Sequence, residues 1–502
     1  MALPTLRGIV IGCGLLLLPC ACEVTEPAPP GQGAGGAAGP SAGGSGQGMP
    51  GAGGPADPGT STVPTDPGYC HGDVPCAPTA IARPSAGCMG AMPTYSAGSP
   101  FVVSTAPHVN GYAEAALTLP EVGQTVRDPD FGTCLTRATP RGWMNGYSRF
   151  SAFNADATRL LVRKDGGDWY VLDTSRLGEP TQAIVTGGDA AAARWHGRDP
   201  DVLFYLSDSK LIRFDVRSRQ PRTAFDPATL PELAGCSLSA VTLGGDEGES
   251  SAGSRYWGFH VETSGACHGS RFHLVTTDLQ AGQSWVHHMP AVSELPNNSA
   301  ISPTGKYLIV NFQEDRSCGD RKATMANPCG VMAYSLHLDQ AKMLAPVAGH
   351  HDEALGKNGH DFVVVKSDVS DFIEAIDVET LEVIQIAAMN PDGVADYEYH
   401  VSGNSWATPG WVILSEDSHN PSGHYLNRQI VAVEIAPVER ARVIHLAHHR
   451  TRSTNYWTQE CHASVSLDGT RVAFHSNWYG GEEEGDNILF YLELPPGLLA
   501  QP

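Results

Sequence analysis

The side chains with the clearest chemical potential are histidines that stand beside other polar residues in the C-terminal half of the chain. His351, His400 and His462 lie in three successive segments, and Gln459 comes three residues before the last of them. Neutral imidazoles together with amide or carboxylate oxygens suit a borderline divalent ion such as manganese, zinc or nickel. These residues therefore indicate a metal site if the fold brings them together. The alternative is that each histidine only hydrogen-bonds a neighbouring part of the fold.

A repeated phrase supplies the elements that would position these residues. Small polar turns at 154–158, 302–306 and 466–470 each lead into an apolar strand, and a further strand closes each unit. About seven units recur at a period of roughly 40–60 residues, which is typical of propeller blades. Because each blade buries its faces only against its neighbours, we predict an all-β fold, a closed seven-bladed β-propeller over residues 125–497. The predicted closing strands are Trp169–Asp173, Leu211–Val216, Phe272–Leu279, Val331–Leu336, Phe372–Val378, Ile430–Ile435 and Ile488–Leu494.

In a propeller, the segment that precedes each of these turns tends to lie at the rim of the central channel, so the histidines of blades five to seven are expected to converge there. Several neighbours in the same segments are candidates for contacting a substrate. The tryptophans among them would stack on sugar rings, or alternatively pack between blades. The predicted substrate-binding residues are Asp352, Asn404, Trp406 and Trp457.

The pair Gln459-x-x-His462 before the last turn, with His400 one unit upstream, resembles the oligogalacturonate lyases. The turn and strand over 466–474 is similar to the blade pattern of that family, and the phrase at 150–154 is shared with TolB-type propellers. The resemblance implies a seven-bladed propeller that holds Mn²⁺ through His400, Gln459 and His462. It places His351 as a further active-site residue and implies β-elimination on oligouronides.

The chain departs from the pattern of that family at two points. Ser464 stands where the lyases carry a second histidine, so a carboxylate from Glu460, Asp352 or a loop would have to replace that ligand. The arginine that serves as the base in the family has no clear counterpart. The candidates for it are Arg194, Arg321 and Arg452.

Three functions remain open at this point. The first is a tethered propeller that binds a carbohydrate or protein ligand at its central channel, through a divalent metal, without catalysis. The alternative is a metal-dependent oligouronide lyase with His351 as a catalytic residue. A weaker third reading is a hydrolase or oxidoreductase with an unrecognised cofactor site. The formal net charge of −22 argues against nucleic acid and against an anionic membrane face as partners, and we expect a monomer.

The N-terminus predicts export. Arg7 precedes an apolar stretch that is too short to span a bilayer, and cysteines follow it, as in bacterial lipoproteins. We predict a signal peptide over 1–22 with lipidation at Cys20 or Cys22, the alternative being an ordinary cleaved signal. Lipid anchoring to the bacterial outer membrane, on its periplasmic or cell-surface side, would be the chain's only membrane contact. A disordered linker rich in Gly, Ala, Pro and Ser over 23–68 and a cysteine-containing extension over 69–124 would precede the propeller.

Twelve cysteines in an exported chain favour disulfides over metal thiolates. Two of the expected bonds would each staple one loop, and a third would lock the first unit to the last. These candidate pairs are Cys236–Cys267, Cys318–Cys329 and Cys134–Cys461.

Overall fold

The computed structural model describes residues 69–75 apart from 72, and residues 114–499 apart from gaps at 165–166, 185–192, 245–246, 291–295, 313–317, 319–322, 347–348, 368–369, 389–398, 417–425, 427, 453–459, 481–485 and 496. By its contacts the chain divides into Met1–Ser61 and Thr62–Pro502, and only the second unit contains described residues. The predicted signal peptide and linker, Cys20, Cys22, Trp457 and Gln459 therefore lie outside the description.

Seven antiparallel sheets form the ring, which confirms the predicted seven-bladed β-propeller. Consecutive strands pair within each blade, as short connections between antiparallel strands require. Blade 1 is β5 (Trp143–Met144), β6 (Arg159–Lys164), β7 (Trp169–Asp173) and β8 (Gln182–Ala183); blade 2 is β9 (Arg194–Trp195), β10 (Val202–Ser207), β11 (Lys210–Asp215) and β12 (Gln220–Phe225); blade 3 is β13 (Leu238–Thr242), β14 (Tyr256–Cys267), β15 (Ser270–Asp278) and β16 (Gln283–His288).

The remaining blades follow the same order. Blade 4 is β17 (Asn298–Ile301), β18 (Tyr307–Asn311), β19 (Val331–Ser335) and β20 (Ala341–Ala345); blade 5 is β21 (His351–Leu355), β22 (Asp361–Lys366), β23 (Phe372–Asp377) and β24 (Val383–Ala388); blade 6 is β25 (Tyr399–Ser402), β26 (Trp411–Glu416), β27 (Gln429–Glu434) and β28 (Val443–His448). Two short 3-10 helices, Pro227–Thr229 and Pro231–Leu233, lie between blades 2 and 3.

Blade 7 combines strands from both ends of the ring. The C-terminal part supplies β29 (Ser464–Val465), β30 (Arg471–Ser476) and β31 (Ile488–Glu493), and the N-terminal part supplies β4 (Cys134–Arg141) and β3 (Thr125–Arg127). Strands β31 and β4 pair antiparallel, which closes the ring by hydrogen bonds. One further hairpin, formed by β1 (Tyr69–His71) and β2 (Val74–Pro75), comes before the blades in the chain.

The predicted closing strands correspond to the third strand of each blade, not to the last. The middle strands are buried on both faces, so they are continuous apolar runs that the sequence shows plainly; β26, for example, is buried at every position. The outer strands were missed because they mix polar and apolar residues at exposed edges. Strand β12, with the sequence QPRTAF and four exposed positions, illustrates this.

Two of the three expected disulfides are confirmed. Cys236 bonds to Cys267, and Cys318 bonds to Cys329. The expected Cys134–Cys461 bond is wrong: Cys134 is disulfide-bonded, whereas Cys461 is a buried thiol. Ring closure therefore rests on strand pairing and not on a bond between these two cysteines. In the part of the chain that the structure covers, no helix has the length and apolarity needed to cross a membrane.

A buried ion pair reinforces the closure. Arg450, just after β28 of blade 6, places Nη1 3.0 Å from Oδ2 of Asp128, which follows β3 of blade 7, and both side chains are 0% exposed. The other oxygen of Asp128 accepts hydrogen bonds from the backbone N–H groups of Asp130 and Phe131. One carboxylate thus ties the last complete blade to the N-terminal strands.

We expect Asp128→Ala to lower the free energy of unfolding by about 3–5 kcal/mol, because it leaves the Arg450 guanidinium buried without this counter-charge. The matched control is Asp486→Ala, which removes a more exposed pair with Arg141 (3.7 Å) and should cost about 1 kcal/mol or less. Urea denaturation measures both variants. Equal losses would show that the buried pair does not stabilise the closure.

Candidate functional site

Three potential metal ligands from blades 6 and 7 converge at one end of the central channel. His400 lies at the start of β25, and Glu460 and His462 lie just before β29. Nε2 of His400 is 2.6 Å from Oε2 of Glu460, and Nε2 of His462 is 3.7 Å from the same oxygen. The two imidazole centroids are 4.3 Å apart. These residues each offer one ligand atom, and the three atoms lie within 4.8 Å of one another.

The backbone at His462 is held in an unusual conformation. Its φ of +43° lies in the left-handed region, which costs a residue with a Cβ on the order of 1 kcal/mol. Two contacts fix it there. The side chain of Asn145 in blade 1 donates a hydrogen bond to the His462 carbonyl (2.8 Å), and the hydroxyl of Ser415 in blade 6 accepts one from the N–H of Ala463 (3.2 Å). The strained turn aims the imidazole at His400.

Burial keeps the imidazole of His400 available as a ligand. His400 and His462 are 1% and 0% exposed. Burial first, and then the neighbouring His350, Arg149 and His475, hold the pKa of His400 well below its usual value. A neutral imidazole has the lone pair that metal coordination requires. In addition, Nδ1 of His400 is buried and has no hydrogen-bond partner among the described residues.

Aromatic rings enclose the cluster. The imidazole of His350, from the segment before β21, stacks on His400 with centroids 4.5 Å apart. Tyr147 of blade 1 contacts the rings of three histidines, with centroids 4.8 Å from His462, 5.3 Å from His400 and 6.4 Å from His350. Side chains from blades 1, 5, 6 and 7 therefore form one wall of the channel.

A buried arginine lies directly beside this wall. The guanidinium carbon of Arg149 is 5.5 Å from the ring centroid of Tyr147, and Nη1 is 3.4 Å from Oε2 of Glu247 in blade 3. Burial by itself would lower the pKa of Arg149, but the charges of Glu247 and Tyr147 and of further carboxyl groups outweigh it and raise the pKa. Arg149 is therefore a fixed cation at the channel. Its Nε is buried and makes no hydrogen bond within the described ranges.

Sequence reasoning missed Tyr147 and Arg149, although a signal for them exists. Tyr147 stands seven positions before the Asn154 turn of blade 1, just as Gln459 stands seven positions before the Ser466 turn of blade 7. The two residues thus share a phase of the repeat. In blade 1 this phase carries a tyrosine and not a histidine.

Not every predicted site residue lies in the cluster. His351 points toward Glu353, with Nε2 3.9 Å from Oε1, while its neighbour His350 contacts His400. Both oxygens of Asp352 accept backbone hydrogen bonds, from the N–H groups of Gly403 (2.6 Å) and Glu353 (2.9 Å).

Asn404 and Trp406 both make contacts that join separate parts of the ring. Asn404 donates to the carbonyl of Arg149 (2.5 Å), which joins blade 6 to blade 1. Trp406 packs at the opposite end of the channel, in an apolar cluster with Val74 and Leu355. The predicted ligand Gln459 and the predicted substrate contact Trp457 fall outside the described residues.

The arginines proposed as a base also occupy different places. Arg194 is buried beside Glu249, with Nε 3.0 Å from Oε2, and its guanidinium lies 3.5 Å from the centroid of Phe150. Arg452 is exposed, and Arg321 lies outside the description. None of them contacts the histidine cluster in the described structure, whereas Arg149 lies beside it.

The donor set fits a divalent metal. Two imidazoles and one carboxylate lie within reach of one ion, and Glu460 is the one of the candidate carboxylates that the structure brings to the histidines. Ser464, at the position of the missing histidine, is used differently. Its hydroxyl donates to the carbonyl of Phe150 (2.6 Å) and accepts from the N–H of Ala152 (3.2 Å), so it links blade 7 to blade 1.

The opposite end of the channel is covered by the N-terminal hairpin. Val74 is 2% exposed and packs on Ala252, Leu355, Trp406 and Leu467, all of which lie at or beyond the ends of inner strands. The histidines lie at or just before the starts of these strands. Since the five residues of β21 span about 15 Å, the apolar seal and the histidine cluster occupy different ends of the channel.

Asp73 anchors this seal. Its carboxylate accepts hydrogen bonds from the hydroxyl of Ser251 and from the N–H groups of Gly253 (3.0 Å) and Arg255 (3.1 Å), and its own N–H donates to the carbonyl of Thr304 (3.0 Å). Burial raises the pKa of Asp73 to about 6, against the opposing effect of these hydrogen bonds. The hairpin is therefore docked on the turns of blades 3 and 4.

Comparisons with known proteins agree with this architecture. A scan against protein-family models gave no match, and neither did a search of the curated proteins. Among solved structures, an oligogalacturonate lyase in complex with manganese aligns with a TM-score of 0.53 and 15% identity over 75% of this chain and 97% of that chain. An oligogalacturonate lyase from Vibrio parahaemolyticus aligns with a TM-score of 0.51 and 14% identity, covering 74% and 96%. These matches confirm the predicted resemblance at the level of the fold.

We expect Asp73→Ala to loosen the seal, because the buried donors of the 251–255 turn lose their acceptor, at a cost of about 1–3 kcal/mol. Hydrogen exchange should accelerate at the amides of Gly253 and Arg255. The control is Asp215→Ala, which removes an acceptor of similar bonds to Ser218 (2.7 and 2.9 Å) at an outer hairpin. If exchange at the 251–255 turn is equally slow in both variants, Asp73 does not hold the hairpin in place.

Proposed function

We propose that this protein binds a divalent metal ion, with manganese as the first candidate, at the histidine end of its channel and uses the site to hold an acidic carbohydrate. The observation that carries the proposal is the convergence of His400, His462 and Glu460 from two blades on one point. Gln459 stays a predicted fourth ligand from the sequence. A metal held there would supply a Lewis acid for the carboxylate of a uronate residue.

The surrounding residues support an anionic sugar as the ligand. Arg149 is a fixed cation beside the cluster, and a guanidinium is well suited to a carboxylate. Tyr147 offers an aromatic face in the same wall. The names of the two lyase structures point to oligogalacturonate as the first compound to test. A protein ligand is the other partner that the sequence left open.

Manganese content of the purified protein tests the site directly. We expect the wild type to bind one Mn²⁺ per chain, and the His400→Ala/His462→Ala variant to bind none, because it removes two of the three ligands. The control is His337→Ala, a residue of blade 4 whose imidazole contacts Trp285 on the outer strand of blade 3, with ring centroids 4.5 Å apart. Equal manganese content in all three proteins would rule out the channel site.

A second candidate function is cleavage of the bound sugar by β-elimination, and His350 favours it. Its Nδ1 lies 3.2 Å from the carbonyl of Tyr399. Because a carbonyl only accepts hydrogen bonds, this contact requires a proton on Nδ1, so the neutral imidazole would carry its lone pair on Nε2. His350 is also less buried than His400, with which it stacks.

The chain's own residues divide the reaction between them. Nε2 of His350 would take the proton from C5 of the uronate, and a double bond would form between C4 and C5 as the bond from C4 to the leaving oxygen breaks. The leaving oxygen would depart with the electron pair of that bond and take a proton from water. Arg149 would stabilise the negative charge that develops at the carboxylate. Its raised pKa makes it a poor base, so in this arrangement the arginine holds charge and the histidine moves the proton.

We expect His350→Gln to keep manganese and to lower the turnover of oligogalacturonate by about 10²–10⁴-fold, because only the base is removed. The comparison variant is His351→Gln, since the sequence resemblance implies a catalytic role for that neighbour. Ultraviolet absorbance of the unsaturated product measures both.

Loss of turnover in His351→Gln alone would give the catalytic role to His351, as the sequence resemblance implies, and overturn the role given to His350. If the wild type binds manganese and oligogalacturonate but forms no unsaturated product, the protein is a binding module. If it binds manganese but no acidic sugar, the proposed ligand class is wrong.

A further inference from the structure

We propose that blade 3 carries a second transition-metal site, formed by His273 and His288 with His268 as a third ligand, for a zinc, nickel or copper ion. This site is separate from the channel. It lies on the paired strands β15 and β16 and on the turn before β15, at the side of the blade that faces the two 3-10 helices.

The central observation is a cross-strand histidine pair. His273 and His288 are directly opposite each other in the β15–β16 ladder, so their side chains share one face of the sheet. Their Nδ1 atoms are 2.9 Å apart. Two ligand nitrogens at about 2.0–2.1 Å from one ion are separated by roughly 3 Å in compact coordination geometries, so the pair already has nearly the spacing of a chelate.

The third imidazole is adjacent and fixed at its backbone. His268 occupies the turn between β14 and β15 with a φ of +50°, and its ring stacks on His288 with centroids 4.8 Å apart. The disulfide between Cys236 and Cys267 immediately precedes it, with a Cα–Cα distance of 5.8 Å. The turn is therefore restrained, and in the proposed site the exposed imidazole of His268, which now stacks on His288, would rotate toward the ion.

The pair forms a polar spot beside an apolar cluster. His273 is 1% exposed, and its neighbour in the ladder is Val261, which is 0% exposed. With both Nδ1 atoms facing each other, one proton lies between two nitrogens. A divalent ion would displace that proton and accept both lone pairs, so binding would weaken as the pH falls.

The donor set also defines the class of ion. Imidazoles suit zinc, nickel and copper, whereas magnesium and calcium prefer oxygen ligands. The three blade-3 ligands are all imidazoles, in contrast to the channel cluster with its carboxylate. Zinc, nickel or copper should therefore bind at blade 3 even where the channel site has been removed.

The experiment uses the full chain with the His400→Ala/His462→Ala substitutions, which isolates blade 3 from the channel. We expect titration calorimetry with Zn²⁺ or Ni²⁺ to show one ion per chain. Adding His288→Asn should weaken binding by about ten-fold or more, and adding His268→Asn should weaken it to a smaller extent. Adding His337→Asn, a histidine of the neighbouring blade, should change nothing.

Spectroscopy decides the case in which a substitution disturbs folding. Electron paramagnetic resonance of Cu²⁺ bound to the channel-disabled protein should show coupling to at least two imidazole nitrogens. Coupling to fewer than two, no zinc binding by the channel-disabled protein, or equal affinity with and without His288→Asn would each overturn the proposal. Failure of the manganese experiment on the channel leaves this prediction intact, since the two sites share no residue.

Discussion

The pairing of β31 with β4 is the interaction on which the rest of the structure depends. Each blade buries its faces only against its neighbours, so an open ring would leave the apolar faces of two blades in water. Leu492 and Leu135 lie opposite each other across this seam, and both are 0% exposed. The closure also builds the candidate site, because Asn145 and Tyr147 follow β4 in the chain. Asn145 reaches the carbonyl of His462 across 317 residues of sequence only when the ring is closed.

The channel is built from groups that a purely structural interior would avoid. Burial raises the pKa of Glu249 to about 8 and that of Glu353 to about 7, in each case against the effect of a nearby arginine. His462 adopts a left-handed backbone conformation at the cluster itself. Replacing buried charged groups by apolar residues of similar volume is often neutral or stabilising. The proposed ligand site gives such groups a role that stability alone does not.

The sequence was sufficient to predict the fold and the convergence of histidine segments from blades 5, 6 and 7. Both follow from the phase of the repeat. It did not separate His350 from His351. Neighbouring residues in an extended segment point to opposite sides, so a shift of one position changes which imidazole meets His400. The spacing of the repeat does not determine which of two neighbouring side chains faces the site. The prediction of a Cys134–Cys461 bond was wrong for a related reason. Both cysteines lie near the seam, but their positions in the repeat do not fix the directions of their side chains.

The two ends of the channel have opposite chemistry, and this difference would limit how the proposed ligand reaches the site. At the turn end, Val74 and Trp406 form an apolar contact that Asp73 anchors through hydrogen bonds to the Ser251 turn. At the other end, imidazoles, a carboxylate and a guanidinium face one another. The proposed acidic ligand would gain nothing from the apolar contact, whereas the proposed metal ligands and Arg149 lie at the histidine end. The ligand would therefore enter and leave through the histidine end, where it meets His400, His462 and Glu460, and would not pass through the apolar seal.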